Sequence, residues 1–165
     1  MLAKDTNQRC ALVIVADGFG EMEAMIFVSL LRQAGLCVKS VGLTSGLVGG
    51  AHGIWIMPDL TLADLDQLTK TASINAVVLP EGRHSLAKLE ADPRVHRLLR
   101  QVAAQQGQIV TSREGLRVLR VAAVWSSEAG DNGDPTTAVI LRDPGQPSEI
   151  FVQDMIRKLK QPPRA

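Results

Sequence analysis

ALVIVADGFGEMEA, residues 11–24, decides the fold. Six consecutive apolar residues, Ala11–Ala16, end at the turn signal Asp17-Gly18, and an acidic, apolar-periodic segment begins at Glu21. A continuous apolar run, rather than strict alternation, suits a strand covered on both faces. Met25, Val28 and Leu31, with Ile26 and Leu30, predict a helix over 21–33 that stops at Gly35.

Outward from there, LCVKSVGL (36–43) reads as a second strand, and the glycine-rich stretch 44–53 as a turn or hairpin. IWIM (54–57) is a short strand, Pro58-Asp59 opens a connection, and Leu62, Leu65 and Leu68 mark one side of a short helix. INAVVL (74–79) supplies a strand before Pro80-Glu81-Gly82. Asp92 and Pro93 carry the best helix-start signal, a capping carboxylate followed by a residue that needs no donor. Val95, Leu98, Leu99 and Val102 form its apolar stripe, and Gly107 ends it. A strand begins at Ile109-Val110, 114–124 is helical, and AGDNGDP (129–135) is a loop. TAVIL (137–141) is a strand and RDPGQP a turn. The last helix starts near Ser148, and 161–165 form a disordered tail.

Strands alternating with helices imply one α/β domain over 1–160, a three-layer sandwich with a mainly parallel sheet. Ligands in such folds lie beyond the strand C-termini. That places Asp17–Glu23, Pro80–Arg83 and Thr111–Gly115 at the expected cleft.

The chain has 165 residues, 17.7 kDa, with 45% in the hydrophobic set, enough for a core of one domain. Lys plus Arg total 18 against 17 Asp plus Glu, a net +1, which argues against a general nucleic-acid binder. Apolar runs reach about six residues, as in 11–16, where a membrane span needs roughly 20. MLAKDTNQRC does not read as a secretory signal. Cys10 and Cys37 lack metal-type spacing; one disulfide is arithmetically possible, but a chain of this size does not need it, and free thiols in a cytoplasmic protein are expected. Cys10 is placed just before the first strand and Cys37 within the second, packed as a small hydrophobe. The three histidines, His52, His84 and His96, fit no ligand pattern, so neither metal nor cofactor is expected. His52 reads as a turn residue, His96 as an edge residue of its helix, and His84 as a surface loop residue near the cleft.

In this order, ALVIVADGFGEMEA, LLRQAGLCVKSVGL, MPDLTLADL, NAVVLPEG, the helix before GQIVT, and TAVILRDPGQPSEIFVQDMIRKL resemble the DJ-1/PfpI family, of flavodoxin-like, class I glutamine-amidotransferase-like fold. The resemblance covers 10–120 and about 136–160. It implies a reactive cysteine on a sharp turn after the strand at 109–111, a glutamate on the first helix hydrogen-bonded to it, and a histidine that often assists. The glutamate maps onto Glu23, and the cysteine onto Arg113, or onto Ser112 with a one-residue slip. The family's glycine pair after the middle strand is here Glu81-Gly82, and its further strand-containing segment is shortened to about 120–135, without histidine.

Arginine has no lone pair for attack, and serine needs a strong adjacent base. The leading expectation is therefore a non-catalytic member in a binding, regulatory or assembly role, with Arg113 and Glu23 forming an ion pair. Glu23, Glu81, Gly82, Ser112, Arg113 and Glu114 are the candidate ligand-binding residues. The alternatives are a residual enzyme using Glu23 on small carbonyl compounds or glycated adducts, and a small-anion sensor built on Arg113. The resemblance also implies a homodimer. Ile26, Phe27, Leu30 and Leu31 on the first helix offer a surface for it or for a protein partner, and burial against the sheet accounts for them equally well.

Overall fold

The computed structural model describes residues 8–125, 138–143 and 145–160. Among these residues six strands form one parallel sheet. These are β1 (Gln8–Val15), β2 (Cys37–Gly42), β5 (Leu60–Thr61), β6 (Ala72–Val78), β7 (Gln108–Thr111) and β8 (Ala138–Leu141), in the order β5-β2-β1-β6-β7-β8. Between β2 and β5, β3 (Val48–Gly49) and β4 (Trp55–Ile56) make a small antiparallel hairpin. The expected hairpin and short strand are thus one unit.

The continuous apolar character of β1 has its reason in the layers. Leu12 and Ile14 point to one face, where they meet α3 (Arg83–Ala91), α4 (Pro93–Ala104) and α5 (Leu116–Val121) through Leu86, Leu89, Leu99 and Leu119. Ala11, Val13 and Val15 point to the other, toward α1 (Glu21–Gln33) and α6 (Ser148–Lys160). A strand whose two faces are both covered has no polar side to show. Phe27 of α1 meets Phe151 of α6 edge to face, ring centroids 6.0 Å apart, an arrangement worth about 1 kcal/mol beyond area burial.

Local signals explain most helix ends. Gly35 (φ 79°) closes α1 with Leu36 N–H on the Leu31 carbonyl and Gly35 N–H on that of Arg32, a Schellman arrangement. Asp92 Oδ1 accepts the Arg94 N–H at 2.9 Å, and Pro93 takes the first position of α4. Thr61 and Asp64 form a capping box ahead of α2 (Leu65–Leu68), the short helix expected from the leucine spacing.

Three expectations change. Residues 83–91 are the helix α3 rather than a loop, and His84 stands exposed in its first turn. Among the described residues no side chain caps α3; it starts at Gly82 (φ 128°), where a Cβ would collide with the Gly18 carbonyl oxygen. Cys10 lies inside β1, opposite Cys37 of β2 in register, and the two form a disulfide with Cα atoms 4.6 Å apart. The free thiols expected from composition are therefore overturned, because parallel pairing brings distant residues face to face. One support for the cytoplasmic expectation goes with them. Finally, Phe27 and Leu31 are fully buried, so the exposed apolar residues of α1 are Met22 and Met25. The loop expected at 129–135 and the tail at 161–165 lie outside the described residues.

Candidate functional site

The three segments expected at the cleft do converge. After β1, Gly18 N–H donates to the Gly49 carbonyl at 2.7 Å and Phe19 N–H to that of Ala16 at 3.1 Å, which turns the chain back into α1. Gly20 N–H then donates to the Glu81 carbonyl at 2.7 Å, and Glu81 N–H returns a bond to Glu23 Oε2 at 2.6 Å. The peptide at residue 81 thus grips the start of α1 with both its donor and its acceptor. Beyond β7, Thr111 Oγ1 donates to the Leu79 carbonyl at 3.3 Å, which ties that strand end to the same corner.

Glu23 is 5% exposed, and its charge partner is not Arg113. Arg113 and Glu114 are exposed in a single 3₁₀ turn, and no hydrogen bond or ion pair involves either side chain among the described residues. The arginine that meets Glu23 is Arg142, one residue past β8, whose N–H extends the ladder to the Thr111 carbonyl at 2.8 Å. Its Nε lies 2.5 Å from Glu23 Oε1, an ion pair held by proximity rather than by a straight hydrogen bond. Nη2 donates to Glu81 Oε2 at 2.9 Å and Nη1 to Ser148 Oγ at 3.3 Å. The expected pair of Glu23 with Arg113 does not form, because the strand end that supplies the arginine belongs to β8, which joins β7 on the edge of the sheet.

Two carboxylates therefore share one guanidinium. Burial pushes the Glu23 carboxyl above the usual carboxylate range, against the opposing pull of the Glu81 N–H and Arg142. Glu81, half exposed, stands at the position of the family's first glycine of the pair and holds its carboxylate on Arg142. Gly82 spends its conformational freedom on the close approach to Gly18.

Ser112 is buried, and its Oγ has no partner among the described residues. No imidazole activates it. His96 Nε2 is bonded to the Glu90 carbonyl, and His52 Nδ1 lies 2.8 Å from Glu21 Oε2. The backbone at this corner is relaxed, with Ser112 at φ −87° and ψ 174°. Among the described residues only Gln106 and Ala123 are non-glycine positions with positive φ. A strained turn that would thrust residue 113 into the site is thus lacking there.

Two participants escaped sequence reasoning. In the sequence Arg142 belongs to the RDPGQP turn, although it directly follows the C-terminal end of β8, the kind of place that singles out 80–83 and 111–115. Glu21, in sequence only the first residue of an acidic segment, clamps the hairpin: its Oε1 accepts the N–H groups of His52 at 2.6 Å and Ile54 at 3.4 Å. Despite its burial, these bonds and the His52 ring lower its pKa to about 2. Its signal was the glycine-rich loop, which needed a partner for its free N–H groups.

The family model of the DJ-1/PfpI family matches residues 9–128. The chain is 34% identical over 100 residues to the Parkinson disease protein 7 homolog of Danio rerio, covering 60% of this chain and 51% of that one. It is 39% identical over 75 residues to protein dj-1beta of Drosophila melanogaster, covering 45% and 38%. The matches thus span about half, or less, of the length of these curated relatives. In architecture it is similar to the crystal structure of Drosophila melanogaster DJ-1beta, with a TM-score of 0.72 at 24% identity, over 92% of this chain and 90% of that one. It is also similar to oxidized Toxoplasma gondii DJ-1, with a TM-score of 0.75 at 16% identity and the same coverage. With the sheet order, the gripped elbow and a family match over most of its length, the chain belongs to the DJ-1/PfpI family.

Proposed function

We propose that this chain is a non-catalytic DJ-1/PfpI protein, one domain over 1–160, that acts by binding or assembly. The observation that carries this reading is the engagement of Glu23. One oxygen accepts the Glu81 N–H and the other meets Arg142. The neighbouring Thr111–Gly115 segment contains no thiol. A carboxylate so committed is poorly placed to activate a nucleophile, and Arg113 offers none.

The test is turnover of a small 2-oxoaldehyde such as methylglyoxal. No consumption above buffer by the purified chain is expected. Consumption abolished by Glu23→Gln, with folding unchanged, would overturn the reading. It would establish instead the residual enzyme, which the raised pKa of Glu23 favours as a general base.

The assembly we favour is a homodimer through α1 and the start of α6. Met22 is 78% and Ile150 56% exposed. A groove of about 320 Å³ is lined by Met22, Met25, Ile26, Ser29, Leu30 and Glu149. Large exposed apolar residues gathered on one face support an interface rather than a solvated surface.

A further inference from the structure

We propose that the outer face of α3, α4 and α5 binds the phosphate backbone of double-stranded nucleic acid. The net charge of +1 conceals a division of charge. Between Arg83 and Val121 there are eight Lys or Arg against three Asp or Glu, while the rest of the chain carries ten against fourteen. All eight are exposed, and the three helices pack together on one face of the sheet, so the excess points to one side of the molecule.

The geometry makes this a surface rather than a scatter. Arg97 and Arg100 stand one turn apart on α4, and Arg113, Arg117 and Arg120 follow at successive turns before and along α5. Arg100 Nη1 reaches the Ala122 carbonyl at 3.3 Å, which joins the two rows. Arg94 and Arg117 are offset by Asp92 and Glu90, and Lys88 by Asp17. The side chains of Arg83, Arg97, Arg113 and Arg120 have no ion pair or hydrogen bond among the described residues. Nor can these helices turn their charges inward, because Val95, Leu98, Leu99, Val102, Val118 and Leu119 fill the opposite side.

A guanidinium fork matches phosphate oxygens, and a row of them neutralises a regularly charged backbone. The face favours a duplex over a single strand because it offers no exposed aromatic platform for bases. Phe19, Phe27 and Phe151 are buried, Trp55 is on the hairpin, and Trp125 packs against the core. It favours nucleic acid over an anionic membrane because Val121 is the one large exposed apolar residue of these three helices.

The experiment is fluorescence anisotropy of a labelled 20-base-pair DNA duplex titrated with the full chain at several salt concentrations. Four phosphates neutralised predict a slope of log affinity on log salt of about −3.6, hence roughly 150-fold weaker binding at 200 mM than at 50 mM. Affinity is expected to be the same for a duplex of scrambled sequence. The Arg97→Glu/Arg120→Glu variant, with folding verified by circular dichroism, is expected to bind at least about tenfold more weakly. Any of three results overturns the proposal: no duplex binding at 50 mM salt, an unchanged affinity in the charge-reversed variant, or preference for single strands or phosphatidylserine vesicles.

Discussion

Glu21 and Glu23 lie two residues apart on α1, both buried, and their environments drive their titrations in opposite directions. Glu21 is held by peptide N–H groups and the His52 ring, so its native pKa falls to about 2. A lowered native value contributes stability above the unfolded value, near 4.5, which is lost as pH falls toward 2. Glu21→Gln should therefore lose more stability relative to the parent at pH 7 than at pH 2, as read by urea unfolding at each pH. Glu23 behaves in reverse. Its raised native value favours the fold below the unfolded value, and that contribution disappears as pH rises through the native value. Arg142→Leu leaves Glu23 a buried charge with one N–H partner, at a cost of about 3 kcal/mol near neutrality. Because a protonated Glu23 carries no charge to strand, the cost should shrink below pH 4.5. A cost independent of pH would show that lost packing, not lost charge, is responsible.

Among the elements, those with local signals were legible and those that depend on distant contacts were not. The stripe and caps of α1 and α4 are written within a dozen residues each. By contrast α3 has only Leu86 and Leu89 as large apolar anchors, and its start is set by Gly82 pressed against Gly18, more than sixty residues earlier. Gly82→Ala should accordingly destabilise by about 2 kcal/mol or more, through both the positive φ and the collision, as read by the shift in denaturation midpoint. β5 is two residues long and exists because the edge of β2 offers it a ladder. The pairing of Cys10 with Cys37 is likewise a matter of register, which neither strand spells out alone. Closing this loop, with a sequence separation of 27, contributes about 3–4 kcal/mol on the chain-entropy account. Reduction should lower the melting temperature, and alkylation of the denatured chain should find two thiols after reductant and none before.

For the whole molecule, the same logic separates the fold from the candidate site. The alternation of strands and helices suffices for a three-layer sandwich, since each apolar run must be covered. The site depends on which strand ends meet at one corner. Glu23 and Glu81 were readable there because their segments follow buried strands directly, whereas Arg142 comes from the far edge through β8. The placement of exposed apolar residues was equally hidden in the periodicity of α1, which does not say which side α6 covers. Met22→Lys combined with Ile150→Lys should convert a dimer to monomer in sedimentation velocity without lowering the melting temperature of the monomer. An unchanged sedimentation coefficient at dimer mass would place the interface elsewhere.

The bond between β1 and β2 also alters what a break in the chain would mean. Residues 10 through 37 form a covalent ring that contains the elbow, both glutamates and all of α1. A protease that cuts once inside this ring yields two fragments that migrate as one species until a reductant is added. The sheet then keeps its neighbour strands, and the corner built on Glu23 stays attached through a second route.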